Sequence, residues 1–129
     1  MFSINRVTLI GFLGKDAEVK HTSRSQTAYT VFSLATNRTW KDQESGEYKS
    51  EVSWHRCVAF GRAGESAAAL LKGAHVQVEG EIRTREYTEK TGGKKSASAK
   101  RTITEIRVYR IAKLDRPGHR DATAGGQTA

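Results

Sequence analysis

Apolar and polar positions along this 129-residue chain fall mostly into short β-type stretches. Residues 6–14 are rich in β-formers and broken by Gly11 and Gly14, which mark a bulge or bend. Residues 29–36 predict a second strand, and residues 48–60 a long third one. Between them, residues 37–46 hold Trp40, Lys41, Asp42 and Gly46, which suits a hairpin loop. Residues 20–26 are polar and read as a loop. Residues 75–82 alternate and start a fourth strand that runs on to Tyr87, and residues 102–109 make a fifth. The pattern changes once. Residues 63–72 are alanine-rich, with Gly73 where a helix would stop. No internal repeat is visible.

Five strands with one helix between the third and fourth is the element order of the OB-fold, an all-β, partly open five-stranded barrel. Residues 1–113 make one such domain. Residues 114–129, rich in Gly, Ala and Thr around the lone Pro117, are expected to form a flexible, disordered tail.

The third strand carries the most chemistry. Trp54, Arg56, Val58 and Phe60 occupy alternate positions, so their side chains point to one side of a sheet. Two aromatics with an arginine between them suit single-stranded nucleic acid. Bases stack on flat rings, and phosphates meet a fixed cation. The alternative is that the same rings fill a core, which on periodicity alone is the commoner use of such aromatics.

Charge sharpens the choice. The net charge is +8 and the pI about 9.9. Residues 1–82 carry 10 basic and 9 acidic groups, whereas residues 83–113 carry 10 basic and 3 acidic. Nearly all the excess lies in one C-terminal hairpin, the footprint expected for a polyanion partner. The single cysteine, Cys57, has no internal disulfide partner, which suits a reducing, cytoplasmic setting. No apolar run approaches a membrane span. The N-terminus lacks the basic start and apolar stretch of a secretory signal.

Blocks of residues spread along the chain resemble the bacterial-type single-stranded DNA-binding proteins, the SSB family. They are Asn5-Arg6-Val7 with Leu13-Gly14-Lys15-Asp16, Phe32-Ser33-Leu34-Ala35-Thr36, Trp40-Lys41-Asp42 with Ser45-Gly46-Glu47, and Trp54-His55-Arg56 with Phe60-Gly61. Val78-Glu79-Gly80, Ile82-Arg83-Thr84-Arg85 and Thr104-Glu105-Ile106 follow in order. The resemblance covers residues 4–112. It implies a non-enzymatic, sequence-nonspecific binder of single-stranded DNA that protects exposed strands in replication, recombination and repair. It also implies a homotetramer, located in the cytoplasm with the nucleoid, with His55 at the subunit interface. Trp40, Trp54 and Phe60 match its stacking positions, and Tyr87 stands where the family often has tryptophan. Arg56, Arg83 and Arg85 are then phosphate contacts, or else partners of Glu79, Glu81 and Glu86. Lys94, Lys95, Lys100 and Arg101 line a loop that, in the family, contacts DNA. The family normally closes on an acidic tip ending in Pro-Phe. Residues 115–129 here hold only Asp115 and Asp121, balanced by Arg116 and Arg120, so no tip-mediated protein partner is expected.

Other chemistries find little support. His21, His55, His75 and His119 are scattered and, with Cys57, show no metal-ligand spacing. No glycine-rich turn or helix start activates Cys57. There is no phosphate-cradling glycine loop and no paired-carboxylate pattern, so neither metal nor cofactor is expected. Lys15, Lys20, Lys49 and Lys72 read equally well as solvated surface. A primosome-type accessory protein, an OB module for RNA or protein, and a nuclease are the competing readings.

Overall fold

A computed structural model describes residues 2–90 and 98–115 of the chain. In chain order it contains β1 (Val7–Leu13), β2 (Glu18–His21), β3 (Ala28–Lys41), β4 (Tyr48–Phe60), α1 (Gly61–Ala68), β5 (His75–Lys90) and β6 (Ser98–Lys113). The hydrogen-bonded order is β1-β5-β6-β4-β3-β2. A short β1–β3 pairing, Phe12 with Ala35 and Leu13 with Leu34, closes the sheet on itself. β4 and β6 run parallel, and every other pair is antiparallel. β1 and β2 are the two halves of one barrel strand, interrupted at residues 14–17. The result is a closed five-stranded barrel with one helix before its fourth strand, the OB-fold expected from the element order.

The barrel closes where it does because of a missing side chain. A Cβ on Gly11 would collide with the backbone carbonyl of Ala35. Glycine there lets β1 approach β3 closely, as strand-interior glycines often do.

The inward faces follow strict alternation. Phe32 and Leu34 of β3, Cys57 and Ala59 of β4, Val76 and Val78 of β5, and Ile106 and Val108 of β6 form one buried cluster with Leu13. Burying one such Val or Leu stabilises the fold by about 1.5–3 kcal/mol. Ala67 and Leu70 cap the barrel end. Thr30 Oγ1 donates to the Gly64 carbonyl at 2.7 Å in the interior, tying α1 to β3.

Several boundaries differ from the sequence reading. The helix ends at Ala68, and Gly73 lies in the turn that follows. Leu70 is the reason: it must leave the helix to enter the core, and its carbonyl accepts from the Ala17 N–H at 3.1 Å. Residues 18–21 are paired with β3, so the polar stretch from residue 20 begins as strand rather than loop. β3 runs on to Lys41, which moves Trp40 out of the expected loop and into a strand. There Asp42 closes the hairpin. Its carboxylate accepts from the Glu44 N–H and the Ser45 hydroxyl and faces Lys49 at 3.1 Å. The Lys49 ammonium, then these hydrogen bonds, hold its carboxyl below the usual range. β5 and β6 extend to Lys90 and from Ser98, shortening the basic loop.

Both long hairpins outrun the barrel. β3–β4 pairing continues from Tyr29–Phe60 out to Lys41–Tyr48, and β5–β6 pairing out to Lys90–Ser98. Among the described residues, β4 and β6 pair through their backbones at Cys57–Ile106, Val58–Arg107 and Ala59–Val108. Because those strands are parallel, both ribbons leave from the same end. Lys94, Lys95 and the tail from residue 116 lie outside the described residues.

Candidate nucleic-acid interface

Alternation that sends Cys57 and Ala59 inward sends Trp54, Arg56, Val58 and Phe60 to the outer face of β4. The same row continues outward through Val52 and Tyr48, both exposed. Trp54 is 61% exposed, the surface a stacking ring needs. Its indole lies against Gly14, where a Cβ would come within 2.5 Å of Cζ3. Val58 is buried, although it belongs to this outer row. It sits beneath neighbours from β3 and β6, opposite Val31 and Arg107.

Phe60 is flanked on both sides. Tyr29, its cross-strand partner on β3, stacks on it with ring centroids 5.2 Å apart. Arg107, on β6, holds its guanidinium 4.5 Å from the ring centroid. Cation–π contacts of this kind are worth about 0.5–2 kcal/mol, depending on desolvation.

β5 and β6 add a second row to the same face. The cross-strand pairs Glu81–Arg107, Arg83–Glu105, Arg85–Ile103 and Tyr87–Arg101 all lie on the side of Arg107, opposite the buried Ile106. Arg56, Arg83, Arg85, Tyr87 and Arg101 therefore share one surface with Trp54 and Phe60. Two of the arginines are joined through a single buried carboxylate. Arg56 Nε lies 3.2 Å from Glu105 Oε1, and Arg85 Nε 3.5 Å from Oε2. Arg83 pairs with Glu81 at 3.0 Å. Arg56, Arg83 and Arg85 thus each have a carboxylate neighbour, and for Arg56 and Arg85 it is one that sequence reasoning did not consider.

Two predicted residues fall elsewhere. Trp40 pairs with Lys49, and its place in the alternation puts it on the ribbon face opposite Trp54. It keeps company with Arg38, whose guanidinium lies 5.1 Å from the indole centroid. Lys100, opposite Thr88, is likewise on the other face of its ribbon from Tyr87. His55 also points away from Trp54, half-buried, with Nε2 2.9 Å from the Thr36 hydroxyl.

Sequence reasoning missed Tyr29, Glu105 and Arg107. Glu105 and Arg107 alternate along β6 as Trp54 and Arg56 do along β4, a signal that a single polar strand hides. Among the described residues, no three His, Cys, Asp or Glu side chains gather as a metal-binding group. Burial pushes the Cys57 thiol up to about 12. Among the described residues, no helix is long and apolar enough to cross a membrane.

The comparisons agree with this architecture. The chain is similar to the Plasmodium falciparum SSB in its complex with ssDNA, at 30% identity and a TM-score of 0.72, covering 89% of this chain and 98% of that one. The model of the Single-strand binding protein family matches residues 4–114. Because that match takes in every strand of the barrel and both ribbons, the chain belongs to the single-strand binding protein family.

Proposed function

We propose that this protein binds single-stranded DNA without sequence preference and carries out no catalysis on it. The observation that carries the reading is the shared outer face, where Trp54, Phe60 and Tyr87 lie among Arg56, Arg83, Arg85 and Arg101. Rings accept any base, because every base has a π-face, and guanidiniums take the phosphates. Trp40, Lys94, Lys95 and Lys100 extend the contact as the strand passes around the ribbons. The protein thereby shields single strands during replication, recombination and repair. It works as a homotetramer. Support for association comes from β1, where Ile10 and Phe12 remain about half exposed on an outer face, with Phe12 stacked on His75 at 4.4 Å. His55 serves at a second contact between subunits.

Titration of tryptophan fluorescence with oligo(dT) tests the reading, run beside native mass measurement. Saturable quenching, weaker competition by RNA of equal length and a tetramer mass are expected. Labelled DNA incubated with Mg²⁺ stays intact. Absence of quenching at low salt would sink the proposal, and a monomer mass would remove its tetramer.

A further inference from the structure

We propose that Arg107 is a phosphate-holding residue of this face, paired with Phe60 so that ring and guanidinium together take one nucleotide. The inference rests on the single-stranded DNA reading and names a residue within it.

Its position is the first observation. Arg107 stands opposite Val58 on the neighbouring strand, with its guanidinium over the Phe60 ring at 4.5 Å. Tyr29 occupies the β3 side of the same ring. A base cannot lie flat on Phe60 while both neighbours stay in place.

The second observation is that Arg107 lacks the partner its neighbours have. Glu105 has one oxygen beside Arg56 and the other beside Arg85. Glu81, the cross-strand partner of Arg107, is paired with Arg83. Among the described residues, Arg107 has no ion pair, and its Nε is buried with no hydrogen-bond partner. Unsatisfied buried donors are uncommon in folded proteins and call for an explanation.

The third is the surrounding space. Arg56, Arg85, Arg107, Phe60, Tyr29 and Thr22 line a groove of about 250 Å³. Three guanidiniums and one carboxylate, that of Glu105, line it, leaving two positive charges in excess. A base sliding onto Phe60 displaces the guanidinium from the ring. The freed planar fork then turns its N–H groups to the phosphate of that nucleotide, a bidentate geometry that arginine favours. In the empty protein the cation–π contact keeps the fork parked at the site.

The test compares wild type, Arg107→Met and Arg107→Lys by oligo(dT) titration over a range of salt, each with a melting curve. Methionine keeps an apolar stem on Phe60 without the charge. It should lose about tenfold in affinity and reduce the salt slope by about 0.7, the share of one phosphate. Lysine should restore the slope but not the full affinity, because it lacks the fork. If the methionine variant does not fold, the lysine variant carries the comparison. Folded variants that bind like wild type with unchanged slope would overturn the proposal while leaving the DNA reading intact. Tighter binding by Arg107→Met would also overturn it, showing the guanidinium to be only a cover on Phe60. Failure of wild type itself to bind would reject the DNA reading, and this inference with it.

Discussion

Arg56 directs its Nε–H at Glu105 Oε1 across 3.2 Å, linking β4 to β6 just beyond their last paired residues, at the point where the two ribbons part. The Glu105 side chain is 6% exposed, whereas that of Arg56 is 36% exposed and that of Arg85 51%. The carboxylate is therefore deeply held, while its cationic partners still meet solvent.

Glu105→Gln should separate the two roles of this link. Loss of the charge leaves two guanidiniums less well satisfied, at a cost of about 1–3 kcal/mol in stability, short of a fully buried pair because both arginines are part-exposed. The same change releases both cations toward phosphates. Binding to oligo(dT) should tighten at low salt, with the salt slope steeper by roughly 0.7 for each arginine engaged. Thermal melting and salt-dependent titration measure the two effects. An unaltered slope would assign Arg56 and Arg85 a purely structural role.

Trp54→Ala removes a ring that is 61% exposed. The expected loss of stability is within about 0.5 kcal/mol, as for other surface changes. The expected loss in DNA affinity is about 1–3 kcal/mol. Melting and binding measured on one preparation check both, and a large fall in melting temperature would show that the indole serves the fold instead.

Two glycines of the first barrel strand should respond differently to alanine. At Gly14 the new methyl meets the far edge of the Trp54 indole, which must swing away. Gly14→Ala should weaken DNA binding and alter the tryptophan emission while the fold persists. At Gly11 the methyl meets backbone of Ala35 at the barrel closure. Gly11→Ala should cost about 1–3 kcal/mol or more, since neither strand can yield alone. Paired melting curves and emission spectra distinguish the cases.

Cys57 offers a pH test. Burial raises its folded-state pKa from the ordinary 9.0 to about 12, so the thiol keeps its proton in the barrel and loses it sooner in the unfolded chain. Its contribution to stability is complete below pH 9 and falls away as pH rises toward 12. At pH 8 the folded protein should resist thiol reagents, and denaturant should expose one reactive thiol per chain. Rapid labelling of the native protein would contradict this burial.

The sequence showed the β4 row well, because Trp54, Arg56 and Phe60 alternate within one strand and local periodicity maps directly to a face. It showed β6 poorly. Glu105 and Arg107 matter through what stands opposite them on β4 and β5, and cross-strand register is not written in either strand alone. Trp40 illustrates the same limit. Its ring was legible as a candidate, but its face depended on β3 continuing without a break to Lys41, past a stretch whose polar residues suggest a loop. The helix was foreseen in its place but overextended, since alanine propensity cannot signal that Leu70 is needed in the core.

The three-pair join between β4 and β6 has a mechanical consequence. Beyond it each ribbon is a two-stranded tine, and such hairpins are only marginally stable on their own. Amide protons of the outer described pairs, such as Trp40–Lys49 and Thr88–Lys100, should therefore exchange with solvent by local opening well before those of the barrel, whose exchange waits for deeper unfolding. A fork of this kind sets no fixed gap. On the sequence-nonspecific reading proposed above, large and small bases would be admitted by spreading the tines, with no repacking of the barrel beneath. Indifference to sequence would then come from compliance as much as from the chemistry of the rings.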